Sequence, residues 1–166
     1  MAQMEILDYT HPALRSQTEE VHEFNAELKR LVTDMFESME KGFGVGLAAP
    51  QVGVLKRVFV YDVGEGPHAV VNPRFTRARG EEIASEGCLS IPRLRGDVPR
   101  AERLTAVWQD ETGKRFRRTV EGLTARVFQH ENDHLYGILF TDKVIPGTLH
   151  MIEEFEEETE PEAVSA

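Results

Sequence analysis

Gln129-His130-Glu131-Asn132-Asp133-His134-Leu135 holds two histidines four residues apart, with a glutamate directly after the first. This is the H-E-x-x-H pattern, two imidazole donors and a carboxylate within one helical turn. At about 100° per residue, the two histidines of a helix sit roughly 40° apart and one turn along, so both reach one metal ion. Glu131 falls beside that face, where it can touch a water on the ion without being a ligand. Asp133 flanks the other side, in reach of a role that fixes an imidazole's orientation. Asn132 points away, into whatever the helix packs against, and there it needs a buried hydrogen-bond partner. Two histidines on an ordinary surface helix produce the same short pattern. A metal site therefore requires a third protein ligand, with one position left open for water or substrate.

Three residues compete for that place. Glu154, twenty residues beyond His134, has a spacing that a thermolysin-like zinc protease could use. It stands in a run of glutamates, however, where any offset would find one, and a solvated acidic face explains it better. His150 is equally reachable, with no neighbouring feature in its favour. Cys88 offers a thiolate, a far better ligand than a spare carboxylate for a soft or borderline metal. The alternative for a lone cysteine is a small buried apolar residue. A Cys-His-His set also suits blue copper, but that use gives Glu131 no task.

Several elements must position these groups. The helix bearing the histidines is expected from about Glu121 to Gly137, with Leu123, Val127, His130 and His134 on one face, so that a metal sits against an apolar wall. A second amphipathic helix is expected from about Asn25 to Lys41. Its Leu28, Leu31, Val32, Met35, Phe36 and Met39 recur at three- and four-residue spacing, and Gly42 follows as a C-cap. Ser16 to Glu19 reads as a capping box, and Ile6 to Arg15 as extended chain and turn, because His11 precedes Pro12.

Gly44-Val45-Gly46-Leu47-Ala48-Ala49 matches a dinucleotide-binding fingerprint in letters only. It follows a helix, whereas that fingerprint must follow a strand and open one. A loop whose small residues admit another backbone fits better. Val58 to Val63 and Ala69 to Asn72 read as short strands. Leu104 to Gln109 and Arg115 to Val120 read as a hairpin around Asp110-Glu111-Thr112-Gly113. Ile138 to Phe140 reads as a short extended piece.

The chain has 166 residues, 40% hydrophobic and 29% charged, which suits one domain with a real core. No apolar run approaches the ~20 residues of a membrane span, and the start lacks the features of a secretory signal. A single cysteine suits a reducing cytoplasm. Net charge of -10 argues against broad electrostatic binding to nucleic acid. Arg95-Gly96-Asp97 matches an integrin-binding tripeptide by chance.

Three separated blocks, Gly44 to Gln51, Glu86-Gly87-Cys88-Leu89-Ser90 and Gln129 to Leu135, together resemble the peptide deformylases in content, order and spacing. His11 to Arg15 and Val98-Pro99-Arg100 also look familial, so the resemblance covers roughly residues 6 to 145. It implies an α+β fold, a single domain with antiparallel β-sheets around a central metal-binding helix. The catalytic domain would be 1–147, with 148–166 as an acidic C-terminal helix or tail. The implied reaction removes formate from the N-formylmethionine of newly made polypeptides.

Carried over residue by residue, the resemblance makes Cys88, His130 and His134 the metal ligands and Glu131 the acid–base group. The Gln51 side-chain amide and the Leu89 backbone N–H would hold the oxyanion. The peptide would add as a strand through Val45, Gly46 and Gly87, with Leu123 and Val127 lining a methionine pocket and Arg95 near its rim. The implied cofactor is one divalent metal ion per chain, Fe2+ in the cell, with Zn2+ or Ni2+ able to occupy the site after purification. The implied partners are N-formyl-Met nascent peptides, with room for a transient ribosome contact, no membrane and no specific nucleic acid.

Two positions depart from the family's pattern. Asn132 stands where an apolar residue is usual. The sixteen residues after His150 also hold seven glutamates, with no Lys or Arg from His150 onward, unlike members whose basic C-terminal helix docks on ribosomal RNA. That tail is expected to be dispensable for chemistry, with Met151, Ile152 and Phe155 forming a narrow stripe on a short helix. A metalloprotease and a non-catalytic binding module are the competing readings. The first would tolerate loss of Cys88, and the second would lack Glu131 or Gln51.

Overall fold

The computed structural model describes residues 4–152 and 164–165. Val58–Tyr61 (β2) shows why the core has two halves. Alternate residues of a strand face opposite sides, so Val58 and Val60 meet one helix while Phe59 and Tyr61 meet the other. The first helix, Ala26–Lys41 (α1), lays Leu28, Val32, Met35 and Met39 on that sheet, as the apolar spacing predicts. Asn25 caps it by accepting the Leu28 N–H at 3.0 Å, and Gly42 ends it. The second, Gly122–His134 (α2), buries Ala125, Val127 and Phe128 against the opposite face. Phe128 there makes edge-on contacts with Phe59, Tyr61 and Trp108.

The sheet between the helices contains Gly46–Ala48 (β1), β2, His68–Arg79 (β3), Arg103–Gln109 (β6) and Arg115–Glu121 (β7), in the order β1-β2-β3-β6-β7. A second sheet, β8-β5-β4-β9, is built from Glu82–Cys88 (β4), Ile91–Arg100 (β5), His150–Met151 (β8) and Val164–Ser165 (β9). Among the described residues, the named strands all pair antiparallel except β4 with β9, which is parallel. The architecture is the expected α+β domain, with α2 as the helix that carries both histidines. No helix among the described residues is long and apolar enough to cross a membrane.

Several local expectations are corrected. Ser16 closes a short 3-10 helix, Pro12–Arg15, rather than opening a capping box. Proline is tolerated at a first helical position, where its missing N–H would be unpaired anyway. Gly46–Ala48 and Ala49–Val52 form a strand and a 3-10 turn where a loop was expected. Strand β3 runs past Pro73 because a bulge between Val71 and Arg74 accommodates the residue that cannot donate. The long β4–β5 hairpin went unforeseen, since Pro92, Gly96 and Pro99 interrupt its pattern, and Leu89-Ser90 makes its tight turn.

Helix α2 ends a turn before Gly137, whose φ of 77° and proximity to Arg15 leave no room for a side chain. Phe140–Asp142 is a 3-10 turn, capped as Asp142 accepts the Leu139 N–H at 3.0 Å, and not an extended piece. Met151 lies in β8 rather than on a helix, and Phe155 falls outside the described residues.

Candidate active site

Three side chains converge where β4 meets α2. Cys88 ends the strand, His130 and His134 sit one turn apart on the helix, and their donor atoms all lie within 4.8 Å of one another. All three are buried. Cys88 Sγ is 3.5 Å from His134 Nε2. His130 Nε2, His134 Nδ1 and both Glu131 oxygens are buried with no hydrogen-bond partner among the described residues. Four orphaned polar atoms so close together are costly unless a further group satisfies them. A thiol and two imidazoles, each with one orphaned ring nitrogen, suit a divalent transition metal. His150 is exposed on β8 and belongs to a different surface, while Glu154 lies outside the described residues.

Burial pushes the Cys88 thiol up strongly, helped by the charges of Glu131 and Glu86 and opposed by backbone N–H groups of Ser90 and Ile91. A cation among the three donors would reverse this preference and favour thiolate. Burial holds His134 well below the usual histidine range, with His130 and Arg100 adding to it, so it stays neutral and able to ligate. Burial also raises Glu131 well above the usual carboxylate range, reinforced by Glu86 and Asp133 and opposed by Arg100.

Gln51 points its amide into the same place. Its Oε1 accepts the Ala48 N–H at 2.9 Å, which turns Nε2 toward Ser90 Oγ (3.1 Å) and Cys88 Sγ (3.6 Å). Gly46 lies against Glu131, where a Cβ would come 2.6 Å from Oε2. The small residue expected to admit another backbone thus first makes room for this carboxylate. Val45 precedes it, partly buried against the core beside α2. Leu89 directly follows Cys88 in the tight turn, so its backbone N–H lies next to the sulfur-bearing residue.

Gly87 precedes Cys88, and a Cβ there would meet the Arg95 guanidinium at 2.6 Å. Arg95 crosses β4 at this point, donating from Nε to Ser85 Oγ at 3.1 Å. Val127 is fully buried, whereas Leu123 on the first turn of α2 is 42% exposed, so the apolar wall covers only part of the expected face.

Glu86 is the residue that sequence reasoning missed. Its Oε1 accepts from His130 Nδ1 at 2.8 Å and from Arg100 Nη2 at 2.9 Å. Oε2 accepts from Arg100 Nε at 2.9 Å and Arg126 Nη1 at 2.6 Å. Bonding at Nδ1 leaves His130 Nε2 as the ring's free donor atom for a metal. Burial opposes the charge on Glu86, but the Arg100 and His130 hydrogen bonds and charges win, and its carboxyl sits far below the usual range. Two signals lay in the sequence. Glu86 shares strand parity with Cys88, and Arg126 stands four residues before His130 on one helical face.

Asp133 does not orient an imidazole, as expected for it; it pairs with Arg100 at 2.7 Å and Lys143 at 3.0 Å. Its position on α2 turns it toward these cations instead. Asn132 Oδ1 has no hydrogen-bond partner among the described residues, contrary to the expected one.

Glu86→Gln should therefore weaken metal binding by about 10–100-fold, the usual cost of losing a group that orients a ligand. Buried partners left unpaired would lower stability by about 3–5 kcal/mol. The sign with pH follows from the depressed carboxyl. Its stabilisation is complete above the ordinary value near 4.5 and is lost as pH falls through the lower folded-state value. Thermal melts of the two proteins should thus converge in acid; a gap that widens there would contradict the clamp.

The comparisons agree with this geometry. A family model described as polypeptide deformylase matches residues 3–149. The peptide deformylase of Heliobacterium modesticaldum is 48% identical over 144 residues, covering 87% of this chain and 95% of the relative. That of Caldicellulosiruptor bescii is 46% identical over 145 residues, covering 87% of each. The crystal structure of peptide deformylase from Thermotoga maritima superposes with a TM-score of 0.86 at 41% identity, over 88% of this chain and 100% of that one. A peptide deformylase from Synechococcus elongatus in complex with actinonin gives 0.84 at 38% identity, over 87% and 80%. With a family model over nearly the whole chain and relatives this similar in sequence and fold, this chain belongs to the polypeptide deformylase family. It is an enzyme of that class, a metal-dependent hydrolase that removes the formyl group from the N-terminal formylmethionine of nascent polypeptides.

Proposed function

We propose that Cys88, His130 and His134 hold one divalent ion, Fe2+ in the cell and Zn2+ or Ni2+ where purification exchanges it. The observation that carries this reading is the buried convergence of the three donors beside an unpartnered Glu131. An ion bound there would acidify a water and draw electron density from the formyl oxygen. Glu131 takes a proton from the attacking water and returns it to the leaving amine. A carbon–oxygen bond forms, the formyl carbon–nitrogen bond breaks, and formate and a free amino terminus leave.

Gln51 Nε2 and the Leu89 N–H would hold the developing oxyanion. Gln51→Ala should therefore lower kcat by about 10²-fold with metal content intact; equal turnover of the two proteins would remove Gln51 from this role. The peptide adds as a strand along Val45, Gly46 and Gly87, the methionine side chain meets Leu123 and Val127, and Arg95 lines the rim. The catalytic unit is 1–147, with 148–166 as an appended segment, and the enzyme works in the cytoplasm on N-formyl-Met nascent peptides. Seven glutamates after His150 would repel ribosomal RNA phosphates, so any ribosome contact is transient and made elsewhere, with no membrane and no specific nucleic acid as partner.

The experiment is formate release from a formyl-Met peptide by anaerobically prepared protein, with an unformylated peptide alongside. Formate from the first and no internal cleavage of either is the expected result. Internal cleavage without formate would favour a metalloprotease.

A further inference from the structure

Two sheet edges flank the three donors. Strand β1 is the last strand of its sheet, with Gly46 against Glu131. Strand β4 ends in Cys88, and the side of it away from β5 is not open: Val164 pairs with Glu86 and Ser165 with Gly87, both parallel to β4. The pairing stops one residue short of the cysteine that converges with both histidines. At the other border of the same sheet, Met151 pairs with Leu94 and His150 with Arg95.

A backbone edge offers each N–H and C=O once, so two chains cannot pair with Glu86 and Gly87 from one side together. Resting on the reading that the formyl peptide adds as a strand at Gly87, we infer that Val164–Ser165 is a built-in competitor for the peptide edge of β4. The segment must leave that edge before a nascent peptide pairs there. The competition is weak by construction. Two paired residues form a short contact, and a net backbone hydrogen bond changes an equilibrium by about 2- to 12-fold. Such a segment screens the site from short or poorly fitting peptides and yields to those that bind well. The competition is for backbone pairing alone, so it acts on binding and not on the chemical step.

The test compares the metal-loaded full chain with two variants, a truncation after Glu158 and the full-length Val164→Pro/Ser165→Pro double substitution. Proline accepts extended backbone but cannot donate to a ladder, so the second variant removes pairing without removing chain. With a formyl-Met peptide, both variants should show KM lowered about 2- to 12-fold at unchanged kcat. A synthetic peptide of residues 159–166, added to the truncated enzyme, should raise KM again without altering kcat. Amide hydrogen exchange gives a readout independent of turnover: residues 86–88 should exchange faster in both variants than in the substrate-free full chain. Equal KM and equal exchange in all three proteins would overturn the inference. Formate release absent from every form would overturn the deformylase reading and the competition with it, while the exchange comparison would still decide where β9 sits.

Discussion

Cys88→Ala is expected to lose metal and activity together. Two imidazoles one helical turn apart make an incomplete site, and the thiolate is the donor that a borderline or soft metal prefers. No described carboxylate is placed to substitute. Glu86 is already engaged by His130, Arg100 and Arg126, and the donor group contains Cys88, His130 and His134 alone among the described residues. Cys88 is buried in a small apolar cluster with Leu14, Ile91 and Val98, so a modest loss of stability accompanies the change without loss of the fold. Metal analysis after gel filtration, beside a circular dichroism spectrum, reads both quantities. Near-stoichiometric metal in a folded Cys88→Ala protein would remove Cys88 from the ligand set.

Glu131→Gln should behave in the opposite way, keeping the metal and losing turnover. Glutamine fills the same space beside Gly46 but cannot take and return a proton, and general acid–base catalysis contributes about 10²–10⁴-fold. The loss should fall on kcat rather than KM, since the carboxylate acts during the reaction and not in holding the peptide. Removing a buried carboxylate whose oxygens have no described partner should also raise the melting temperature of the metal-free protein. Turnover near the wild-type rate would assign the proton transfers to another group.

The helix carrying the two histidines was legible because its chemistry needs particular residue types at a short spacing, and Cys88, 42 residues before His130, through its place in a family block. Helix α1 was legible through its apolar stripe, and Gln51 through its place in a family block. Glu86 stayed hidden for a physical reason. Its role exists only once β4, β5 and α2 bring Arg100, Arg126 and His130 to one carboxylate across 14, 40 and 44 residues of sequence. Asp133 was misassigned because helical position gives a direction but not the identity of the partner, and Arg100 and Lys143 arrive from elsewhere in the chain. Strand β5 was illegible because Pro92, Gly96 and Pro99 are tolerated where a strand borders a tight turn, a bulge or a short neighbour.

The most direct test of the account is to titrate metal-free protein with Fe2+ under anaerobic conditions and follow formate release from a formyl-Met peptide against bound metal. Activity rising linearly and levelling at one ion per chain is the predicted result, with chelation returning it to the baseline. Full formate release from the metal-free protein, or saturation with metal and no formate, would contradict it.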